Sequence, residues 1–201
     1  MILFQIGNVG SANLLVNGDF EAFDVGGSFV AYGADQFSEV DSFGTHVVTP
    51  GGTLPAEFGW SLATADAILG VDLVNSLWQG VSGTTNLDGF DQSVDLDLDA
   101  GLSQNFATEV GQTYELSFWY THNPGENDNP SSTGTVRVEG NSTVLETALT
   151  HDISNSTGAM QFVRYATTFI ADSETTMLEF QGEAANGGYG FVIDEVSVVA
   201  V

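Results

Sequence analysis

Twenty-four glycines cut this chain into short runs in which apolar and polar residues alternate, and almost nothing sustains a helical period. Side chains on a strand point alternately to opposite faces, so such runs, punctuated by turn residues, predict an all-β sandwich or barrel. The one helix candidate, 63–75 (ATADAILGVDLVN), is interrupted by Gly70 and rich in β-branched residues. In Tyr114–Tyr120 (YELSFWY) the alternation puts Tyr114, Leu116, Phe118 and Tyr120 toward a core and Glu115, Ser117 and Trp119 outward. By the same parity Val136 and Val138 face in while Arg137 and Glu139 face out. In DQSVDLDLDAG, Val94, Leu96 and Leu98 fall inside and Asp91, Asp95, Asp97 and Asp99 outside. Further strands are expected at 162–169, 176–181 and 190–199, with turns at 109–112, 123–134 and 186–188. The segment 22–58 is glycine-rich and too weakly periodic to place.

At 201 residues, with no linker-like stretch, the chain is expected to form one domain over 13–201. Residues 1–12 form an N-terminal extension: a signal remnant, a cloning scar or an extra strand. They end in a small-x-small pattern but lack the basic start and the full apolar length of a secretory signal. No run of about 18 apolar residues is present, so no membrane-spanning helix is expected.

The charge is the second constraint. Twenty-seven acidic residues face only Arg137 and Arg164, with no lysine, for a formal net charge of -25. Such a surface repels nucleic acid and anionic lipid. Two readings of the acidity stay open: adaptation to a salty or calcium-rich exterior, or discrete sites for hard cations that take oxygen ligands. The absence of cysteine excludes disulfides, a thiolate nucleophile and soft-metal sites. The repeat Asp95-x-Asp97-x-Asp99 is no EF-hand, since its sixth position is Ala100 and its twelfth Phe106, and it is expected to be a solvated strand face.

Catalytic signatures are missing. Gly80-Val-Ser82-Gly is one residue short of a nucleophile elbow. His46, His122 and His151 lie far apart in sequence, without metalloprotease spacing, and are expected in loops or at the surface. Paired carboxylates are so abundant that any catalytic separation would arise by chance. A sugar site wants exposed aromatic rings beside planar polar groups. Trp119 meets the exposure test, and Arg137 is expected on the corresponding outer side. Trp78 and Tyr189 are further candidates, with burial at the sandwich edge and simple covering of a turn as their other readings.

In order along the chain, NLLVNGDFE (13–21), Gly59-Trp60, VDLVNSLWQG (71–80), QSVDLD (92–97), SQNFATEVGQTYELSF (103–118) and FVIDEVSV (191–198) form a pattern. It resembles the choice-of-anchor C family of secreted bacterial proteins, relatives of plant cell-wall proteins of unknown function. More distantly it is similar to carbohydrate-binding modules of the galactose-binding-like jelly-roll fold. The resemblance spans 13–199 apart from 22–58. It implies a jelly-roll β-sandwich of two antiparallel sheets, export to the cell surface or extracellular matrix, and noncatalytic binding of a polysaccharide or cell-wall glycan. A structural subunit that self-assembles by adding strand 1–6 to a neighbour's sheet is the alternative.

The resemblance further implies a structural Ca²⁺ joining the first strand to the last, through Glu21 and Asp194, with Asp19 near a backbone-carbonyl position. Parity with Val192, Val196 and Val198 points Asp194 toward the core, where a bare carboxylate is costly and a bound cation removes the cost. The other reading has Asp194 bonded to backbone amides and Glu21 solvated.

Overall fold

The computed structural model describes residues 12–22, 29–32, 36–40, 46–50, 58–64, 70–75, 77–81, 91–125, 130–186 and 188–201. The expected extension strand 1–6 lies outside them. The strands are β1 (Phe29–Tyr32), β2 (Gln36–Val40), β3 (His46–Pro50), β4 (Ser61–Thr64), β5 (Val71–Val74), β6 (Ser93–Leu96) and β7 (Gly101–Ala107). They continue with β8 (Thr113–His122), β9 (Ser132–Glu139), β10 (Thr143–His151), β11 (Val163–Ile170), β12 (Thr175–Gly182) and β13 (Phe191–Ala200). Residues 65–69 of the helix candidate 63–75 lie outside the described residues, and the rest is instead the end of β4 and all of β5: Val71, Leu73 and Val74 gain more from a buried sheet position than from a helix that Gly70 would interrupt.

Two antiparallel sheets face each other. The larger runs β11-β8-β13-β6-β5-β1-β2-β3 and the smaller β10-β9-β12-β7-β4. From β7 to β13 the chain crosses repeatedly between them, the path of a jelly-roll sandwich. Their inner faces supply the core: Leu116 and Phe118 from β8, Ile193 from β13 and Leu96 from β6 oppose Val136 and Val138 from β9 and Leu178 and Phe180 from β12. Phe118 meets Phe180 edge-on across the sheets, centroids 4.9 Å apart.

The N-terminal segment explains why NLLVNGDFE opens as a strand and then breaks. β6 pairs with β13 only at 191–193. Beyond that point Leu14 donates to Val198 O, and the Asn13 side chain donates to Val196 O and accepts from Val198 N, each at 2.9 Å. Val196 N donates to Gly18 O at 2.7 Å, where a Cβ on Gly18 would stand 2.0 Å from Val196 O. Asn17 and Phe20 take positive φ (51° and 57°), which turns the Phe20 ring into the core against Phe58 and Trp60. The carboxylates of Asp19 and Glu21 are thereby left on the outside of that turn, beside the start of β6.

β13 corrects the parity reading of Asp194. Glu195 has φ 52° and the register with β8 shifts between Asp194 and Ser197. This bulge reverses the alternation, so Val196 and Val198 face the core while Val192 and Asp194 lie on the outer face, Asp194 directly across from Trp119. Asp194 is nevertheless only 1% exposed.

Candidate metal centre and binding face

Glu21 lies near enough to Asp194 for its charge to act on that carboxyl. Glu21 Oε1 accepts from Gln92 N at 2.5 Å, and Gln92 Nε2 donates to Phe20 O at 2.8 Å, which ties the N-terminal turn to the head of β6. Burial, with the charges of Asp91, Asp19 and Glu195 around it, pushes the Glu21 carboxyl up to about 7 against the Gln92 hydrogen bond. Burial likewise holds Asp194 well above the usual carboxylate range, with Asp91, Glu195 and Glu21 adding to the rise and the Glu195 amide opposing it. Asp19 is exposed, and its Oδ1 accepts from Glu21 N at 3.4 Å.

Five carboxylates thus act on one another's charge along the sandwich rim, drawn from the N-terminal turn, the head of β6 and the bulge of β13. Glu21 Oε2 and Asp194 Oδ2 are buried without a hydrogen-bond partner. A Cβ on Gly80 would fall 2.2–2.5 Å from the Asp91 carboxylate, so only glycine lets Asp91 sit there. No three His, Asp or Glu side chains among the described residues are placed to hold a metal ion together. The donor chemistry and the two unmet oxygens nevertheless fit a hard cation such as Ca²⁺. Asp91 and Glu195 are not among the ligands the sequence points to: parity makes Asp91 an outward residue, and the bulge at Glu195 cannot be read from the pattern.

The run Asp95-x-Asp97 corrects a second expectation. It is no solvated face: Asp95 is 1% and Asp97 3% exposed, and only Asp99 is open. The outer face of the larger sheet is covered here by a small apolar cluster of Val74, Trp78, Met160 and Val192. β5–β6 register sets Asp72 opposite Asp95.

Trp119 lies half-buried on the outer face of the larger sheet, with Arg164 opposite it on β11. Arg164 Nη2 is 3.5 Å from Glu115 Oε1, and both side chains are exposed. A planar aromatic, a guanidinium, a carboxylate and the Ser117 hydroxyl therefore share one open patch. Arg137 does not join it. It stands on the outer face of the smaller sheet, among Glu139, Glu146 and Glu179 at 3.4–4.0 Å. Parity told which way Arg137 points but not which sheet carries it, and Arg164 was missed because only the register places it beside Trp119. Trp78 is no surface ligand group: it is 2% exposed, and its Nε1 donates to Ser93 Oγ at 2.9 Å. Tyr189 is 40% exposed and packs over Gly125, remote in register from Trp119.

His122 and His151, expected in loops or at the surface, are both 2% exposed and meet Nδ1 to Nδ1 at 2.6 Å where β8 and β10 end. His151 Nε2 also faces Gln161 O at 2.9 Å. One ring must donate and the other accept, so the contact requires a neutral ring; burial and the neighbouring imidazole lower His122 to about 4.

A jelly-roll sandwich with an acidic rim centre and an aromatic patch on one sheet is the class this geometry defines. The model of the DUF642 family, described as proteins of unknown function, matches residues 69–199, and the chain belongs to that family. No curated protein matches it significantly. Among solved structures it is similar to the CBM22-1 xylan-binding domain of Paenibacillus barcinonensis Xyn10C (16% identity, 71% of this chain and 86% of that one, TM-score 0.46). It is also similar to TmCBM61 in complex with β-1,4-galactotriose (15% identity, 95% and 100%, TM-score 0.44). A third is the arabinose-bound MgGH51 α-L-arabinofuranosidase (13% identity, 95% and 29%, TM-score 0.49). Likeness at these levels assigns neither ligand nor activity to this chain.

Proposed function

We propose that this protein is a noncatalytic extracellular carbohydrate-binding module that holds a polysaccharide or cell-wall glycan against the outer face of its larger sheet, around Trp119. The observation that carries the reading is the pairing of a half-buried Trp119 with Arg164 directly opposite and Glu115 bound to that arginine. A pyranose offers apolar C–H faces to an aromatic ring and hydroxyls to planar polar groups, and all are present on one rigid face. The kinship with choice-of-anchor C proteins, and the secretion it implies, belong to the same proposal.

A structural Ca²⁺ at the rim is the second part of it. Glu21 and Asp194 are the ligands assigned to the ion, with Asp91, Asp19 and Glu195 beside them, and Ca²⁺ would supply the positive charge that no lysine or arginine provides there. It would fasten the N-terminal turn to the head of β6 and the bulge of β13.

Retention on insoluble polysaccharides and affinity electrophoresis test the binding reading. Trp119→Ala is expected to weaken retention about tenfold or more, about 1.4 kcal/mol, and Arg164→Ala less. Wild-type affinity in the alanine variant, or no retention of the wild type on any glycan, overturns it. For the ion, saturating Ca²⁺ should raise stability over that in EDTA by about 2.7 kcal/mol at a hundredfold excess over Kd. Equal denaturation midpoints in the two conditions exclude it.

A further inference from the structure

We propose that His122 and His151 form a two-proton latch that holds the connection from β10 to β11, residues 152–162, against the larger sheet and releases it in acid. The pair joins the layers, since His122 ends β8 of the larger sheet and His151 ends β10 of the smaller. Both rings are 2% exposed, and they meet through Nδ1 at 2.6 Å. His151 Nε2 faces the Gln161 carbonyl at 2.9 Å, so that nitrogen carries a hydrogen and donates it. A neutral His151 therefore has a bare Nδ1, and the hydrogen between the rings belongs to His122 Nδ1. The two bonds run in one direction, from His122 to His151 to Gln161 O.

The connection depends on those bonds. Gln161 takes φ 57°, a left-handed backbone that a residue with a side chain rarely adopts, and His151 holds its carbonyl there. Beside it Thr121 Oγ1 donates to Met160 O at 2.5 Å, and Asn155 Nδ2 donates to His122 O at 2.6 Å. Met160 is thereby laid against Trp78 and Val192, so opening the connection bares that apolar cluster. Few charges reach the rings. Burial lowers His151 and, with the neighbouring imidazole, takes His122 down to about 4, against Asp152, which favours the charged form of both. Tyr120 stands edge-on to His151, β9 brings Ser132 opposite His151, and β13 brings Phe191 opposite His122, none of them charged in acid. A first proton has the bare His122 Nε2 to occupy and leaves both bonds intact. A second has only His151 Nδ1, where two N–H groups would face each other at 2.6 Å, and the rings must part.

The latch shares no residue with the Trp119 patch or the acidic rim, so it stands or falls apart from the proposed function. Opening is favoured as pH falls below the ordinary histidine value of about 6.5, because the parted rings take up protons that the closed pair resists. Hydrogen exchange of the Gln79 amide, which donates to Thr157 O at 2.8 Å, reads the opening in the full chain with EDTA present. Corrected for intrinsic exchange, the opening constant of wild type is expected to rise more than about tenfold from about pH 5.5 to about pH 4.5, beyond the limit for one proton. The Leu178 amide, in the middle strand of the smaller sheet, should stay better protected throughout, which marks the opening as local. His122→Asn keeps a donor at the Nδ1 position and removes one proton site, so its rise should not exceed about tenfold. An equal rise in variant and wild type, or none in wild type, overturns the proposal. Should the variant not fold, imidazole nitrogen NMR of wild type decides. Hydrogens on His122 Nδ1 and His151 Nε2 at neutral pH, with both rings leaving that pattern together in acid, support the latch. The reverse hydrogens, or either ring titrating alone near about 6.5 with Gln79 still protected, overturn it.

Discussion

The two sheets treat their outer faces differently. On the smaller sheet, β9 and β12 alternate between buried and half-buried positions along their length. The outward side chains are solvated, and Arg137 with Glu139, Glu146 and Glu179 forms a surface ion-pair network. On the larger sheet, all four residues of β6 and the first four of β13 are buried. One apolar cluster of Val74, Trp78, Met160 and Val192 covers that face, as the core covers the other. The same two-residue period therefore yields solvated charges on one sheet and enclosed carboxylates on the other. A carboxylate under cover must find a partner, as Asp95 does in the Asn123 side chain.

Substitutions graded across the two sheets sharpen the contrast. Phe118→Ala, at the contact between sheets, should cost about 3–5 kcal/mol in urea denaturation. Less than about 1 kcal/mol would mean that Phe118 does not join the two layers. On the covered outer face, Trp78→Phe keeps most of the apolar volume and loses the bond to Ser93, for about 1 kcal/mol. If it left stability unchanged while Trp119→Ala lowered it, the cover would be misplaced.

A pH series in chelator comes next. A carboxyl raised in the folded state binds its proton more tightly folded than unfolded, so its contribution to stability grows as pH falls through the folded value. With Glu21 and Asp97 at about 7, the urea midpoint should rise as pH falls from 8 to about 6.5. The histidine pair acts in the opposite direction. Lowered in the folded state, His122 and His151 destabilise progressively as pH falls below the unfolded value of about 6.5, so the gain should flatten there. A midpoint that falls steadily from pH 8 would show that the covered carboxylates are ionised and already compensated. The smallest effect is expected at Arg137→Ala on the open sheet: within about 1 kcal/mol of wild type, with glycan retention intact. Loss of retention there would move the binding face to the smaller sheet.

Much of this was legible in the residues. The strands around 114–120, 136–139, 162–169, 176–181 and 190–199 fall where alternation puts them, to within a few residues. The turn at 109–112 closes with Gln112 donating to Glu109 O and Gly111 at φ 84°. The outward Trp119 was legible too, from parity. The failures share a cause. Asp194 was assigned to the wrong face because a one-residue bulge inverts the pattern after it. Alternation sets Asp95 and Asp97 on a solvated face because a strand's period shows which residues share a face, never what covers that face.

The sequence by itself therefore determined which side chains travel together: alternation is a property of the local backbone and needs no knowledge of neighbours. Tertiary structure alone decided which sheet Arg137 joins, that Arg164 faces Trp119, that two histidines 29 positions apart touch, and that aspartates on an outer face are enclosed. Burial depends on the surface that a distant segment removes from water, and register depends on which strand arrives beside it. Both are relations between parts of the chain, and no single stretch of residues encodes them.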